Sequence, residues 1–134
     1  MCSSDLNNAA TMARYRELLK ENLTEPMKME LFISDGDSKN VRQLTKFGCA
    51  AFAPTFTPDG RKIVFSSNKH NCDGRLFELY MMNTDGTGLE QITNLGGFAS
   101  FPEFSPDGKT LVFSSDYKAS SRYEFNIFTA TWVD

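Results

Sequence analysis

Hydrophobic and polar positions follow strand-like patterns in several short runs, each followed by turn-forming residues. We interpret "AFAPTFT" (51–57) and "SFPEFS" (100–105) as strands, because aromatic side chains recur in them at strand-like spacing. The runs "KIVFSS" (62–67) and "TLVFSS" (110–115) are apolar on both faces, which is typical of a strand between two neighbours. Short antiparallel strands are therefore predicted along most of the chain.

A Pro-Asp-Gly turn joins the two strands of each pair. Proline fixes the backbone angle of the second turn position, aspartate tolerates the third, and glycine accepts the positive φ that closes a hairpin. We therefore assign these residues to structural turns and not to acid catalysis. They are Pro58, Asp59, Gly60, Pro106, Asp107 and Gly108.

The whole pattern is a tandem repeat. Residues 29–76 align with residues 77–124 without a gap, and 16 of the 48 positions are identical. A third copy begins at "NIFTATW" (126–132), which aligns with "ELYMMNT" (78–84). Each unit contains four short strands and no long helix, and its period is close to that of propeller repeats. The predicted fold is all-β, a β-propeller of four-stranded antiparallel blades.

The repeat also predicts how the chain is divided. Residues 28–45 supply strands of one blade, residues 50–93 a complete blade, and residues 98–132 a last blade that lacks its outer strand. Closed propellers have roughly 4–8 blades, so we expect a C-terminal fragment of a longer protein. Residues 7–27 are predicted to be a helical insertion of a truncated blade, or alternatively a disordered remnant of it. We interpret residues 1–6 as an adaptor-derived or disordered tail.

Two recurring motifs resemble a known family. "F-[ST]-P-D-G-[RK]-x-[IL]-V-F-S-S" and "L-Y-M-M-N-x-D-G-x-x-x-x-Q-[IL]-T" are similar to the TolB-like, WD-like β-propeller repeat, over residues 28–134. The resemblance implies a non-enzymatic scaffold for protein–protein interaction in the bacterial cell envelope, periplasmic or secreted. The alternative is the propeller domain of an enzyme, either the gating domain of a serine peptidase or a carbohydrate-active lyase.

Composition narrows the function classes. The net charge is −3, and no stripe of Lys and Arg occurs, which argues against nucleic acid as the partner. No apolar run is long enough to span a membrane, so no membrane insertion is expected. The chain has one His and no nucleophile, phosphate or dinucleotide motif. We predict no catalysis by this chain alone, no cofactor and no metal. The expected partners are another protein and the missing N-terminal blades.

Cys49, His70 and Cys72 form a local group that the repeat does not share. Their equivalents 48 residues later are Gly97, Lys118 and Ser120. In an up-and-down blade the loops that carry the two cysteines emerge on the same face. Cys49 and Cys72 could form a disulfide, could bind a metal with His70, or could remain two free thiols.

The irregular loops are predicted to form the binding face, because function concentrates in variable loops on a rigid scaffold. The Pro-Asp-Gly turns, by contrast, are alike in both repeats. The candidate partner-binding residues are the aromatic, His and Arg side chains of the irregular segments, types that dominate binding hot spots. They are Tyr15, Arg16, His70, Arg75, Tyr117 and Arg122.

Overall fold

The computed structural model describes residues 9–21 and 28–133, which form one helix and three antiparallel sheets. The helix α1 spans Ala9–Lys20. The nine strands are β1 Phe32–Ile33, β2 Arg42–Gln43, β3 Ala51–Phe56, β4 Lys62–Ser67, β5 Glu78–Asn83, β6 Glu90–Gln91, β7 Ala99–Phe104, β8 Thr110–Ser115 and β9 Asn126–Thr131.

The strands group into three blades in sequence order. Blade A contains β1 and β2, blade B contains β3-β4-β5-β6, and blade C contains β7-β8-β9. Each strand pairs antiparallel with its chain neighbour, so every blade is a simple meander. One complete blade with parts of two others confirms the predicted fold class.

The strand register repeats with the sequence. Ala51 pairs with Ser67 in blade B, and the residues 48 positions later, Ala99 and Ser115, pair in blade C. The blades are linked by single parallel bridges that repeat in the same way, Met29 with Ala50 and Phe77 with Phe98. The same backbone geometry therefore recurs at each blade-to-blade connection.

Two hydrophobic cores lie between the blades. Successive residues of β4 point to opposite faces of blade B, so Ile63 and Phe65 pack toward blade A while Val64 packs toward blade C. All three are at most 4% exposed. The prediction that this strand is buried on both faces is confirmed, since five of its six residues are buried.

The first strand of each blade is less regular than predicted. Its register shifts between Phe52 and Thr55 in β3, and at the equivalent place in β7. Ala53 and Phe101 have φ values of 49° and 56° at these bulges. The residue that follows each of them is a proline, which has no N–H to donate to the ladder. The alternation of side chains between the two faces of the sheet is therefore interrupted within β3 and within β7.

The Pro-Asp-Gly sequences form tight turns between the first and second strands of blades B and C. Gly60 and Gly108 have φ values of 69° and 70°, which glycine adopts without strain. Gly108 also lies against the neighbouring turn, because a Cβ there would come within 2.8 Å of the Pro58 side chain. Glycine is thus required at this position for both backbone conformation and space.

The N-terminal part is helical where it is described. Residues 9–20 are α-helical, within the segment 7–27 predicted as a helical insertion. The connection 22–27 lies outside the described residues, so the insertion of the helix between two strands of a blade stays a prediction. The proposed tail, residues 1–6, also lies outside them.

Candidate functional site

The meander distributes its connections between two ends of the blades. Turns between first and second strands, and between third and fourth strands, lie at one end, which we call the turn face; it comprises residues 34–41, 57–61, 84–89 and 105–109. The other connections lie at the opposite end, which we call the loop face; it comprises residues 46–50, 68–77, 94–98 and 116–125. The connections between second and third strands and between blades therefore share one face.

Asn68 organises the loop between β4 and β5. Its side chain is fully buried, and Oδ1 accepts a 2.9 Å hydrogen bond from the Ala50 N–H. Nδ2 donates to the carbonyl oxygens of Cys72 and Gly74, at 2.9 and 3.0 Å. One amide thus bonds backbone groups from two segments of the loop face and holds residues 68–74 in one shape.

Cys49 and Cys72 are brought together at this loop. The structure joins their sulfur atoms, and the Cα atoms lie 4.8 Å apart, within the range usual for a disulfide. Cys49 is 2% exposed, whereas Cys72 lies on the surface. The link fastens the loop after β4 to the segment that precedes β3.

His70 contacts Tyr80. The Tyr80 hydroxyl donates to Gln91 Oε1 at 3.0 Å and lies 3.2 Å from His70 Nδ1. Because the hydroxyl has one hydrogen, Nδ1 must be the donor in the second contact. Burial raises the pKa of Tyr80. The equivalents of Tyr80 in the other blades are Phe32 and Phe128, so this chain of contacts is specific to blade B.

A glutamate fixes each described connection between blades. Glu78 is 1% exposed, and Oε1 accepts hydrogen bonds of 2.8 Å from the N–H groups of Leu95 and Gly96. The Thr93 hydroxyl donates to Oε2. Glu30 accepts from Thr45 and Gly48 in the same way. These residues were not predicted from the sequence, although Glu, Thr and Gly are identical at these positions in both repeats.

The loop between β8 and β9 is held by its own carboxylates. Asp116 Oδ1 accepts a 2.6 Å hydrogen bond from the Phe98 N–H. Glu124 accepts from the N–H and hydroxyl of Ser120, and the hydroxyl bond is the first cause that lowers the Glu124 pKa. Tyr117 and Arg122 are exposed on this loop.

The structure brings together four of the six predicted binding residues on the loop face: His70, Arg75, Tyr117 and Arg122. Tyr15 and Arg16 lie on α1, where Arg16 is exposed and the Tyr15 side chain is outside the described part. Among the described residues no contact joins α1 to the loop face, so their membership of this surface stays a prediction.

Within 9–21 and 28–133, no group of three or more His, Cys, Asp or Glu is placed to hold a metal ion. A shallow groove lies beside His70 and is lined by Gln91, Ile92, Thr93 and Asn94. None of the helices in the described part is long and apolar enough to cross a membrane.

Four-stranded antiparallel meanders that repeat in register and pack face to face define the blades of a β-propeller. A family model described as "TolB beta propeller domain" matches residues 23–128. The chain belongs to this TolB β-propeller family.

Solved structures show the same architecture. A structure described as TolB from Agrobacterium tumefaciens matches with a TM-score of 0.64 and 25% identity, over 78% of this chain and 40% of that one. TolB from Acinetobacter baumannii matches with a TM-score of 0.62 and 25% identity, over 77% and 24%. Hydrazine synthase from Kuenenia stuttgartiensis, at 22% identity and a TM-score of 0.59 over 79% and 18%, shares the fold. The chain thus spans less than half of each of these. A search of curated protein sequences gave no significant match.

Proposed function

We propose that this chain is part of a non-enzymatic propeller scaffold that binds a protein partner through its loop face, in the bacterial cell envelope. The observation that carries the proposal is the contrast between the two faces. The Pro-Asp-Gly turns are nearly the same in both repeats, whereas the loops differ in sequence and are tied by contacts that the fold does not require. Cys49–Cys72 and His70–Tyr80 have no counterpart in blade C.

Such contacts favour binding because they order the loop before a partner arrives. A loop that is already ordered loses less conformational entropy when it binds. On either side of its two fixed points, residues 70 and 72, the loop exposes Lys69, Asp73 and Arg75. Arginine is among the residues enriched in binding hot spots.

We also propose that Cys49 and Cys72 are disulfide-bonded in the native protein and that the chain functions in an oxidising compartment such as the periplasm, or outside the cell. Disulfides persist in these compartments and are rare in the cytosol. Membership of the TolB family supports the same location.

A further partner is another blade of the same kind. The side of blade B that packs on blade C contains Val64 and Leu79, which are fully buried. Their equivalents in blade C are Val112 and Ile127, and Ile127 is 71% exposed. A neighbouring blade of the complete propeller would cover this side as blade C covers blade B.

Photocrosslinking in the bacterial host tests the binding face. A photoreactive phenylalanine analogue is placed singly at Arg75, Tyr117 or Arg122 on the loop face, and at Arg61 or Lys109 on the turn face as matched exposed controls. The proposal predicts a discrete protein adduct from the loop-face positions and none from the controls. Adducts confined to the turn face would contradict it.

A further inference from the structure

The outer strands of blades A and B are held by the same hydrogen bonds. In blade B the Leu79 N–H donates to Thr93 Oγ1 at 2.8 Å, and the Leu79 carbonyl accepts from the N–H groups of Ile92 and Thr93. In blade A, Thr45 makes the same bonds with Leu31. The residue before the threonine is aliphatic in both blades and packs against the core between them and their neighbours. An outer strand is thus recognised by an aliphatic residue followed by threonine.

The third strand of blade C presents the same edge. β9 pairs with β8 along all six of its residues, and in the described part of the chain no strand pairs with its other edge. Ile127 is the equivalent of Leu79, and alternate residues of an antiparallel strand direct their N–H and C=O groups to the same side. The backbone groups of Ile127 and Thr129 therefore point away from β8 and can pair with a further strand.

Blade C lacks the glutamate that anchors a connection to the next blade. Glu30 and Glu78 occupy equivalent positions and accept hydrogen bonds from the segment that leaves the outer strand. The third copy of the repeat has Asn126 at this position. Asn126 is exposed, and its Nδ2 donates to Glu124 Oε1 at 3.1 Å within its own loop.

Asparagine cannot replace glutamate in this role. Glu78 uses both carboxylate oxygens, Oε1 for the Leu95 and Gly96 N–H groups and Oε2 for the Thr93 hydroxyl. An asparagine amide has one acceptor oxygen, and its nitrogen is a donor. Blade C is therefore equipped to pair with an outer strand but not to fasten a connection from that strand to a following blade.

From the unpaired edge of β9 and the asparagine at position 126 we infer that blade C takes its outer strand from a distant segment of the same protein, which closes the propeller ring. Main-chain hydrogen bonds to a sheet edge supply affinity, and side chains at alternate positions supply specificity. The inference goes beyond the proposed binding face and does not depend on it.

The edge also specifies the sequence of the strand it takes. A threonine is required as the acceptor for the Ile127 N–H, with an aliphatic residue before it, as in blades A and B. The position that Gln91 occupies opposite Tyr80 in blade B lies opposite Phe128 in blade C. An apolar residue is therefore expected there in place of glutamine.

Fluorescence anisotropy with labelled peptides tests the inference on the purified chain. The probe has the sequence of residues 87–94, TGLEQITN, with valine in place of glutamine. A methyl group on the isoleucine nitrogen removes the N–H that faces the third strand, whereas one on the valine nitrogen alters an N–H that points away. We expect the first to weaken binding about tenfold or more and the second less than about threefold.

Hydrogen exchange locates the bound peptide. The amides of Ile127 and Thr129 should exchange more slowly with peptide, and that of Gln91 on the outer edge of blade B should not change. Thr129→Pro removes an outward N–H and should weaken binding, whereas Gln91→Pro, the same change on blade B, should not. Protection at Gln91 alone would contradict the inference. Protection of Ile127 and Thr129 that rises with protein concentration without peptide would identify a second copy of the chain as the occupant and overturn it.

A change in the probe tests the specificity of the edge. Valine in place of the peptide threonine removes the acceptor for the Ile127 N–H and should weaken binding about fivefold. Equal binding of this peptide would show that the edge accepts any extended segment, one from a partner protein included, and would overturn a dedicated strand of the same protein.

A longer peptide tests whether a blade follows. Residues 87–97 add the connection that carries the N–H groups of Leu95 and Gly96. The addition should not tighten binding to the unchanged chain, because Asn126 cannot accept from these groups, whereas it should tighten binding to Asn126→Glu about fivefold. A gain of that size in the unchanged chain, or binding of neither peptide, would overturn the inference.

Discussion

The buried carboxylate of Glu78 is the residue on which the connection between blades B and C depends. Replacing Glu78 with Ala removes the acceptor for the Thr93 hydroxyl and for the Leu95 and Gly96 N–H groups. We expect the free energy of unfolding to fall by about 2 kcal/mol, because partly buried donors lose their partner. Urea denaturation measures the change.

Glu90 provides the matched control for Glu78, since it is a glutamate of the same blade that is exposed on β6. Glu90→Ala should change the free energy of unfolding by less than about 0.5 kcal/mol. Glu78→Gln keeps one acceptor oxygen and is expected to fall between the two alanine variants. Equal stability of Glu78→Ala and Glu90→Ala would contradict a role for the carboxylate in the connection.

The aspartates of the Pro-Asp-Gly turns make a pH-dependent contribution to the stability of the folded chain. A hydrogen bond from the Thr57 hydroxyl, together with the Arg61 N–H, lowers the Asp59 pKa below its ordinary value of 3.8. Because the folded-state pKa is the lower one, the contribution to stability is complete above the unfolded-state value and is lost as the pH falls through the folded-state value.

Titration of the carboxyl carbons by NMR checks this prediction. Both Asp59 and Asp107 should have midpoints below 3.8, the ordinary value. Thr57→Val should move the Asp59 midpoint upward and leave that of Asp107 unchanged, since Asp107 receives its hydrogen bond from Ser105. An Asp59 midpoint that does not respond to the substitution would contradict the assigned cause.

At the scale of elements, the strands could be predicted closely and their irregularities could not. The strand "KIVFSS" was predicted at residues 62–67, and β4 spans Lys62–Ser67, because both of its faces are apolar and a turn precedes it. The bulges at Ala53 and Phe101 were missed, since positive φ at a non-glycine residue leaves no signal in hydrophobic periodicity. The proline that follows each was the available clue.

The disulfide between Cys49 and Cys72 joins the loop after β4 to the segment before β3. It encloses a segment with a sequence separation of 23 residues. In a Cys2→Ser background, which excludes exchange with the third cysteine, Cys49→Ser with Cys72→Ser should lower the free energy of unfolding by about 3 kcal/mol. Urea denaturation with and without reductant measures it.

Treatment with reductant is the control for the contribution of the disulfide to stability. It should lower the stability of the Cys2→Ser protein to that of the triple serine variant, and should leave the triple variant unchanged. Alkylation and mass spectrometry then count the free thiols. Two alkylated cysteines in the untreated Cys2→Ser protein would exclude the bond.

For the whole molecule, the tandem repeat was sufficient to predict the blades and their order, because each unit repeats the same strand pattern at a fixed period. The repeat also separated the recurring Pro-Asp-Gly turns from the loops that vary. It could not predict contacts made by single residues, such as His70 with Tyr80 or Lys118 with the Tyr117 ring. Those depend on the conformation of the individual loops, which the repeat does not share.

Packing of one blade on the next is the central structural feature of this protein. The side of blade C on which no described blade packs should therefore promote association between chains. Exposed apolar surface and unpaired strands favour association. Light scattering after gel filtration should therefore give a concentration-dependent mass above the 15.1 kDa of one chain. Ile127→Lys should reduce the association, whereas Leu89→Lys on the turn face should not. A monodisperse 15.1 kDa monomer at all concentrations would contradict the packing of this side against another blade.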